Sequence, residues 1–79
     1  MKTTLDQLGE GQCARITCLQ LSGAMRRRLL DFGMIEGTHI HCLRKSPSGD
    51  PVIYRVRGTM LALRRQDSRR IAVEVEACR

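Results

Sequence analysis

Aromatic residues are almost missing from this chain: Phe32 and Tyr54 are its only two, and tryptophan is absent. A surface that stacks bases or sugar rings needs more of them, which argues against recognition by ring stacking. No run approaches the roughly 20 apolar residues that a membrane helix requires. The opening MKTTLDQLGEGQ has no apolar core of a secretory signal. Phosphate-cradling loops of the GxxxxGK[ST] or GxGxxG kind are missing too. Asp50 stands apart from other carboxylates, so paired acid–base work has no candidate. The two histidines share one stretch, and no orienting third residue stands out for a Cys/His nucleophile. These absences together point away from an enzyme.

What is present suits one small domain over residues 1–79. A chain of this size buries only about 60% of its unfolded surface, so its core must be drawn from Leu, Ile, Val, Met and Ala. The formal net charge is +6, and all but Lys2 and Lys45 of the 14 basic residues are arginine. Such a surface can attract nucleic acid, anionic lipid or an acidic protein, or simply keep the chain soluble. Four cysteines are present. With no secretory signal, the expectation is a cytoplasmic protein with reduced thiols. Cys13 and Cys42 then read as small core residues, Cys18 as lying near a strand end, and Cys78 as part of a frayed tail.

Periodicity predicts a mainly β chain. Leu5 and Leu8, three apart behind a Thr4 cap, read as a docking turn. Gln12 to Leu19 alternates, with Ala14, Ile16 and Cys18 on one face. Ser22 caps a helix running to Phe32 and stopped by Gly33. At about 100° per residue, Met25, Leu29 and Phe32 share one sector and pack on a sheet. Leu30 falls between Arg26 and Arg27, either on a wide core face or as an exposed contact. Arg26, Arg27 and Arg28 precede Asp31, the reverse of what the helix dipole favours. An Arg27–Asp31 pair is worth only a few tenths of a kcal/mol, so helix stability does not account for these arginines. Met34-Ile35-Glu36-Gly37 is a turn into a strand at Thr38–Arg44, with Ile40 and Cys42 facing one way and His39 and His41 the other. Lys45 to Pro51 is a hairpin loop with a positive φ expected at Gly49. Strands follow at Val52–Arg57 and Met60–Arg65, a helical turn capped by Asp67 at Gln66–Arg70, and a last strand from Ile71 to Glu76. Five short antiparallel strands with one helix between the first and second must close on themselves to hide their edges.

Metal ligation has one sequence candidate. His39-x-His41 points both imidazoles to one side of a strand. Two ligands do not complete a tetrahedral site; a second copy of the chain or a nearby Glu would be needed. Such a pair could hold a surface Fe²⁺ or Zn²⁺ or bridge a homodimer, or it could be two solvated polar residues. Cys13-x4-Cys18 has an odd separation that sends its thiols to opposite faces. Arg55, Arg57, Arg64 and Arg65 allow a small basic nucleic-acid-binding barrel as an alternative, although Glu74 and Glu76 dilute their charge.

Several fragments together resemble the FeoA family, the small cytoplasmic partner of the ferrous iron transporter FeoB. They are Leu5…Leu8-x-x-Gly11; Arg28-Leu29-x-x-Phe32-Gly33-Met34; Gly37-Thr38; Ser46-Pro47-x-Gly49-Asp50-Pro51; Leu61-Ala62-Leu63-Arg64; and Ile71-x-Val73-Glu74. They follow the family's order over nearly the whole chain. Glu36 stands where the family often has Pro, and Phe32 where Leu is common. The resemblance implies an SH3-like β-barrel without enzyme activity or a required cofactor. It implies a role in Fe²⁺ uptake through contact with the transporter's cytosolic GTPase region, at the inner face of the membrane. The same fold also serves as the C-terminal domain of metal-dependent repressors, but no helix-turn-helix precedes it here, which favours a free-standing adaptor over a metal-sensing regulatory module. The residues expected to meet the partner are Arg26, Arg27, Leu30, Met34, Ile35, Glu36, Pro47, Gly49 and Asp50.

Overall fold

The computed structural model describes residues 1–78. Its strands are β1 (Lys2–Thr4), β2 (Cys13–Leu19), β3 (His39–Lys45), β4 (Val52–Val56), β5 (Thr59–Leu63) and β6 (Ile71–Glu76). They form one antiparallel sheet in the order β1-β6-β2-β3-β4-β5. Helices α1 (Gly23–Asp31) and α2 (Arg65–Ser68) and a 3-10 turn at Leu5–Gln7 complete it. Inward residues from across the sheet, among them Ile16, Ile40, Tyr54, Leu63 and Val73, meet in one core cluster. The sheet therefore curls around them like a barrel, although β1 and β5 remain its two edges.

The expected five strands become six because the chain start pairs with β6. Thr3 lies opposite Val73, and the Val75 N–H donates to the Met1 carbonyl at 2.8 Å. The β-branched Thr3 and Thr4 suit such an edge. Leu5 and Leu8 are buried as expected, and Thr4 stands at the N-cap position, but its hydroxyl makes no capping bond and donates to the Asp6 carboxylate instead.

Alternation in β2 holds only as far as Ile16. The register with β6 shifts between Ile16 and Cys18. Such a bulge adds one residue and reverses the facing of those beyond it. Cys18, expected on the core face, is exposed, while Leu19 packs against the core.

The end of α1 corrects two further expectations. Gly33 takes φ +83, open to glycine and unfavourable for a residue with a Cβ. Its N–H donates to the Leu30 carbonyl at 2.9 Å and the Met34 N–H to the Leu29 carbonyl at 3.0 Å. That pair of bonds is a Schellman closure, whose apolar contact joins the residues at its two ends, here Leu29 and Met34. Met34, expected to face a partner, is 0% exposed, and Phe32, expected in the core, is 42% exposed. The chain reversal swings Met34 under the helix and leaves Phe32 at the rim.

At α2 the expected Asp67 cap is also displaced. The helix starts at Arg65, with Asp67 inside its first turn, and the Arg65 N–H donates to the Asp50 carboxylate at 2.9 Å. No helix is long and apolar enough to cross a membrane among the described residues.

The thiols depart furthest from expectation. Cys13 and Cys78 form a disulfide across a sequence separation of 65. In the chain-entropy account, closing a loop of that length stabilises the fold by about 4 kcal/mol, with 2–4 typical of measured cases. The segment after β6 is thus pinned back onto β2 rather than frayed. Cys18 and Cys42 remain free. Burial pushes the Cys42 thiol above its usual range, so it stays neutral and inert.

Candidate functional site

Two surfaces carry chemistry. The first is the outer side of α1 with the turn that follows it. Arg26, Arg27 and Arg28 are exposed and Leu30 half-buried; Arg26, Arg27, Leu30 and Asp31 line one shallow groove. Among the described residues, none of the three arginines lies within ion-pair distance of a carboxylate, so the Arg27–Asp31 pair does not form. The helix carries no acidic residue in its first turn. Three consecutive unpaired cations repel one another, and only Arg28, in the last turn, is favourably placed in the helix dipole.

The turn itself is held rigidly. The Thr38 hydroxyl, buried with its side chain, donates to the Gly33 carbonyl at 2.9 Å and accepts the Ile35 N–H at 3.1 Å. The Gly37 N–H reaches the Ile16 carbonyl at 2.7 Å, and the Ile16 N–H reaches that of Thr38 at 2.8 Å. These bonds dock the turn beside the β2 bulge and force Ile35 outward, 52% exposed. Ile35, Glu36, His39 and Arg57 share a second shallow depression.

Pro47, Gly49 and Asp50 do not join this surface. They sit in the hairpin loop at the far end of β3, which at roughly 3.3 Å per residue is about 20 Å long. The loop is occupied locally: Gly49 adopts the expected positive φ of 88, and Asp50 holds α2 as described. Gly49 lines a depression with Asp6, Lys45 and Arg65. Sequence proximity to the motif suggested one face, whereas the length of β3 makes two. Phe32 was missed as a surface residue. It lines the groove between α1 and β5 with Met25 and Leu61, and only the position of the helix end could have revealed it.

The second surface is a cross-strand row on the outer face of the sheet. Cys13 pairs with His41 of β3 on one side and Glu76 of β6 on the other, and His41 pairs with Arg55 of β4. His39 and His41 do point to one side, as their spacing predicts, but their partners differ. His39 Nδ1 is engaged by the Glu76 carboxylate. His41 instead approaches Cys13 and Cys78, with the three potential ligand atoms within 4.8 Å of one another. Arg15, opposite both His39 and Glu74, bonds Glu74 at 2.8 Å. Of the four arginines suggested for nucleic acid, Arg55 and Arg57 border this row, while Arg64 and Arg65 lie at α2.

Comparison with known proteins follows the same lines. A family model described as the FeoA domain matches residues 3–75. A Fe(2+) transport protein A/Fe(2+) transporter FeoB fusion protein of Porphyromonas gingivalis is 35% identical over 71 residues; these make up 90% of this chain but only 8% of that protein. The solution structure of the FeoA protein of Chlorobium tepidum is similar with a TM-score of 0.90 at 35% identity, covering 95% of this chain and 71% of that one. The crystal structure of Stenotrophomonas maltophilia FeoA complexed with zinc, described as a prokaryotic SH3 domain protein, is similar with a TM-score of 0.83 at 28% identity, covering 95% and 96%.

Proposed function

This chain belongs to the FeoA family, and from that premise we propose that it is a non-enzymatic accessory of ferrous iron uptake that binds the cytosolic GTPase region of a FeoB-type transporter. The single observation that carries the pairing is the P. gingivalis fusion protein, which joins a FeoA-like segment to a transporter in one chain. Fusion gives a high effective concentration of one part near the other, which supports the reading that the two act together.

The contact surface in this reading is α1 with its following turn. Arg26 and Arg27 supply charge without an internal partner, and Leu30, Phe32 and Ile35 supply apolar area at its edge. An acidic patch with a shallow apolar pocket on the GTPase region is the complementary chemistry. Arginine forks carboxylates bidentately, and partly exposed apolar side chains bordered by charge suit a modest interface. Binding influences the transporter only through a difference in affinity between its conformations; a tenfold difference shifts the balance by about 1.4 kcal/mol.

The test is retention of the isolated GTPase region of the cognate transporter on the immobilised protein. Wild type retains it, and added salt weakens the contact. Arg27→Glu combined with Leu30→Asp abolishes retention while the fold persists by circular dichroism. Unchanged retention by the double variant sinks the assigned face, and no retention by wild type sinks the pairing.

A further inference from the structure

We propose that Cys13, Cys78 and His41 form a thiolate-rich binding site for a single Zn²⁺ or Fe²⁺ ion, closed by the Cys13–Cys78 disulfide and opened by its reduction. The proposal rests on this cluster and is independent of the transporter reading above.

Geometry carries it. Cys13 and His41 are directly opposed on neighbouring strands, and the disulfide brings Cys78 to the same place. The two sulfurs and an imidazole nitrogen fall within 4.8 Å of one another. A tetrahedral zinc site with metal–sulfur bonds near 2.3 Å separates its ligand atoms by about 3.5–3.8 Å. Once the S–S bond opens, the sulfurs need only move apart by side-chain rotation, and two of the three ligands stay fixed on the sheet. The sequence pattern hid the site because its members lie in three separate segments joined by cross-strand pairing.

The surroundings fit a cation of this charge. Cys13, His41 and Glu76 line a cavity of about 200 Å³ together with His39, Arg55 and Arg57. Glu76 lies opposite Cys13 on β6 but is engaged by His39, which leaves the fourth position to water. Two thiolates offset a divalent ion's charge in number, so with water in the fourth position Arg55 and Arg57 face a neutral cluster rather than a bare cation. Soft sulfur ligands with one imidazole select Zn²⁺ and tolerate Fe²⁺, and they disfavour Mg²⁺ and Ca²⁺.

The redox step balances with an external dithiol. Its two thiols close into a disulfide as the Cys13–Cys78 bond opens; the electron pair and the two protons pass to the two sulfurs. The metal ion then displaces those protons, leaving two thiolates bound to it. A reducing compartment therefore favours the metal-holding form.

The test uses Co²⁺ as a spectroscopic probe on the full chain, with Cys18→Ser to remove the exposed free thiol. A phosphine opens the disulfide, taking oxygen from water to become its oxide without adding a competing thiol. The reduced protein is expected to take up one Co²⁺ per chain, with thiolate charge-transfer absorption and the visible bands of a tetrahedral ion, and Zn²⁺ displaces it. The oxidised protein shows none of these bands. Cys78→Ser, outside every strand, weakens affinity at least tenfold and loses much of the charge-transfer intensity; His41→Asn weakens affinity at least tenfold while keeping that intensity. Bands absent from the reduced protein, present in the oxidised protein, or unchanged in Cys78→Ser overturn the proposal. Bands equally strong and affinity equally high in His41→Asn overturn the assignment of the imidazole. Circular dichroism of each variant confirms that it remains folded.

Discussion

Replacing Gly33 with alanine tests how one residue orients the whole contact surface. The left-handed backbone at φ +83 costs an L-residue about 1–2 kcal/mol. A Cβ at this position would also stand 2.8 Å from Arg57 Cδ and 3.0 Å from its Nε, too close for either. The Arg57 side chain can swing aside, but an off-rotamer arrangement costs about 0.5–1.5 kcal/mol. Together these predict a loss near 2 kcal/mol, which for a domain of this size lowers Tm by about 8–15 °C. Gly49 is the natural control: its φ is +88, yet a Cβ there meets nothing within 4 Å. Gly49→Ala should therefore show the backbone penalty alone. The assay is urea unfolding of Gly33→Ala, Gly49→Ala and each combined with Arg57→Ala. Removing the Arg57 side chain should bring the penalty at Gly33 down to that at Gly49 and leave the latter unchanged. A loss below about 0.5 kcal/mol for Gly33→Ala refutes the positive-φ account, and identical penalties at both glycines with Arg57 intact refute the steric one.

The adjacent pair Met34 and Ile35 should separate stability from recognition. Met34→Ala is expected to lose about 2–4 kcal/mol by urea unfolding, because a fully buried side chain leaves a cavity; Ile35→Ala should change stability by under about 0.5 kcal/mol and weaken retention of the transporter's GTPase region. Tyr54, the single tyrosine, is buried with its hydroxyl donating to the Leu5 carbonyl at 3.4 Å, and burial pushes its pKa up from 10 to about 12, partly offset by hydrogen bonding with Ser68. The folded state keeps this proton when the unfolded state releases it, so the stabilisation is whole below pH 10 and is lost between pH 10 and about 12. The loss approaches roughly 2–3 kcal/mol. Ultraviolet titration of the phenol beside unfolding at each pH checks this, and ionisation near pH 10 in the folded protein would contradict it.

Much of the fold was legible from local pattern. The alternation of Val52, Tyr54 and Val56, of Ile40 and Cys42, and of Ile71 and Val73 gave the inward faces correctly, since a half-buried strand enforces a period of two. Ser22 and Gly33 bracketed α1 within a residue, although the Ser22 side chain makes no capping hydrogen bond; the positive φ at Gly33 restricts the other end to few residue types. The family resemblance rested on these same local features, and it agrees with the match over residues 3–75. Strand β1 was missed since three residues carry too little periodicity to register. The bulge after Ile16 was missed for a related reason: an inserted residue is visible only against the partner strand.

The candidate sites depended more on the tertiary level. Arg26, Arg27 and Leu30 could be grouped from helical spacing alone. Pro47, Gly49 and Asp50 were joined to them by motif order, which carries no distance. Sequence by itself determined the class of this protein, its strand faces and the ends of its main helix, because those follow from dihedral preferences and side-chain periodicity within a few residues. Tertiary structure decided that Met34 turns in and Phe32 out, that the hairpin loop lies at the opposite end of β3 from the turn after α1, and that Cys13 meets both His41 and Cys78. The first follows from the chain reversal at Gly33, the second from the length of β3, and the third from strand register between segments distant in the chain, which no local preference encodes.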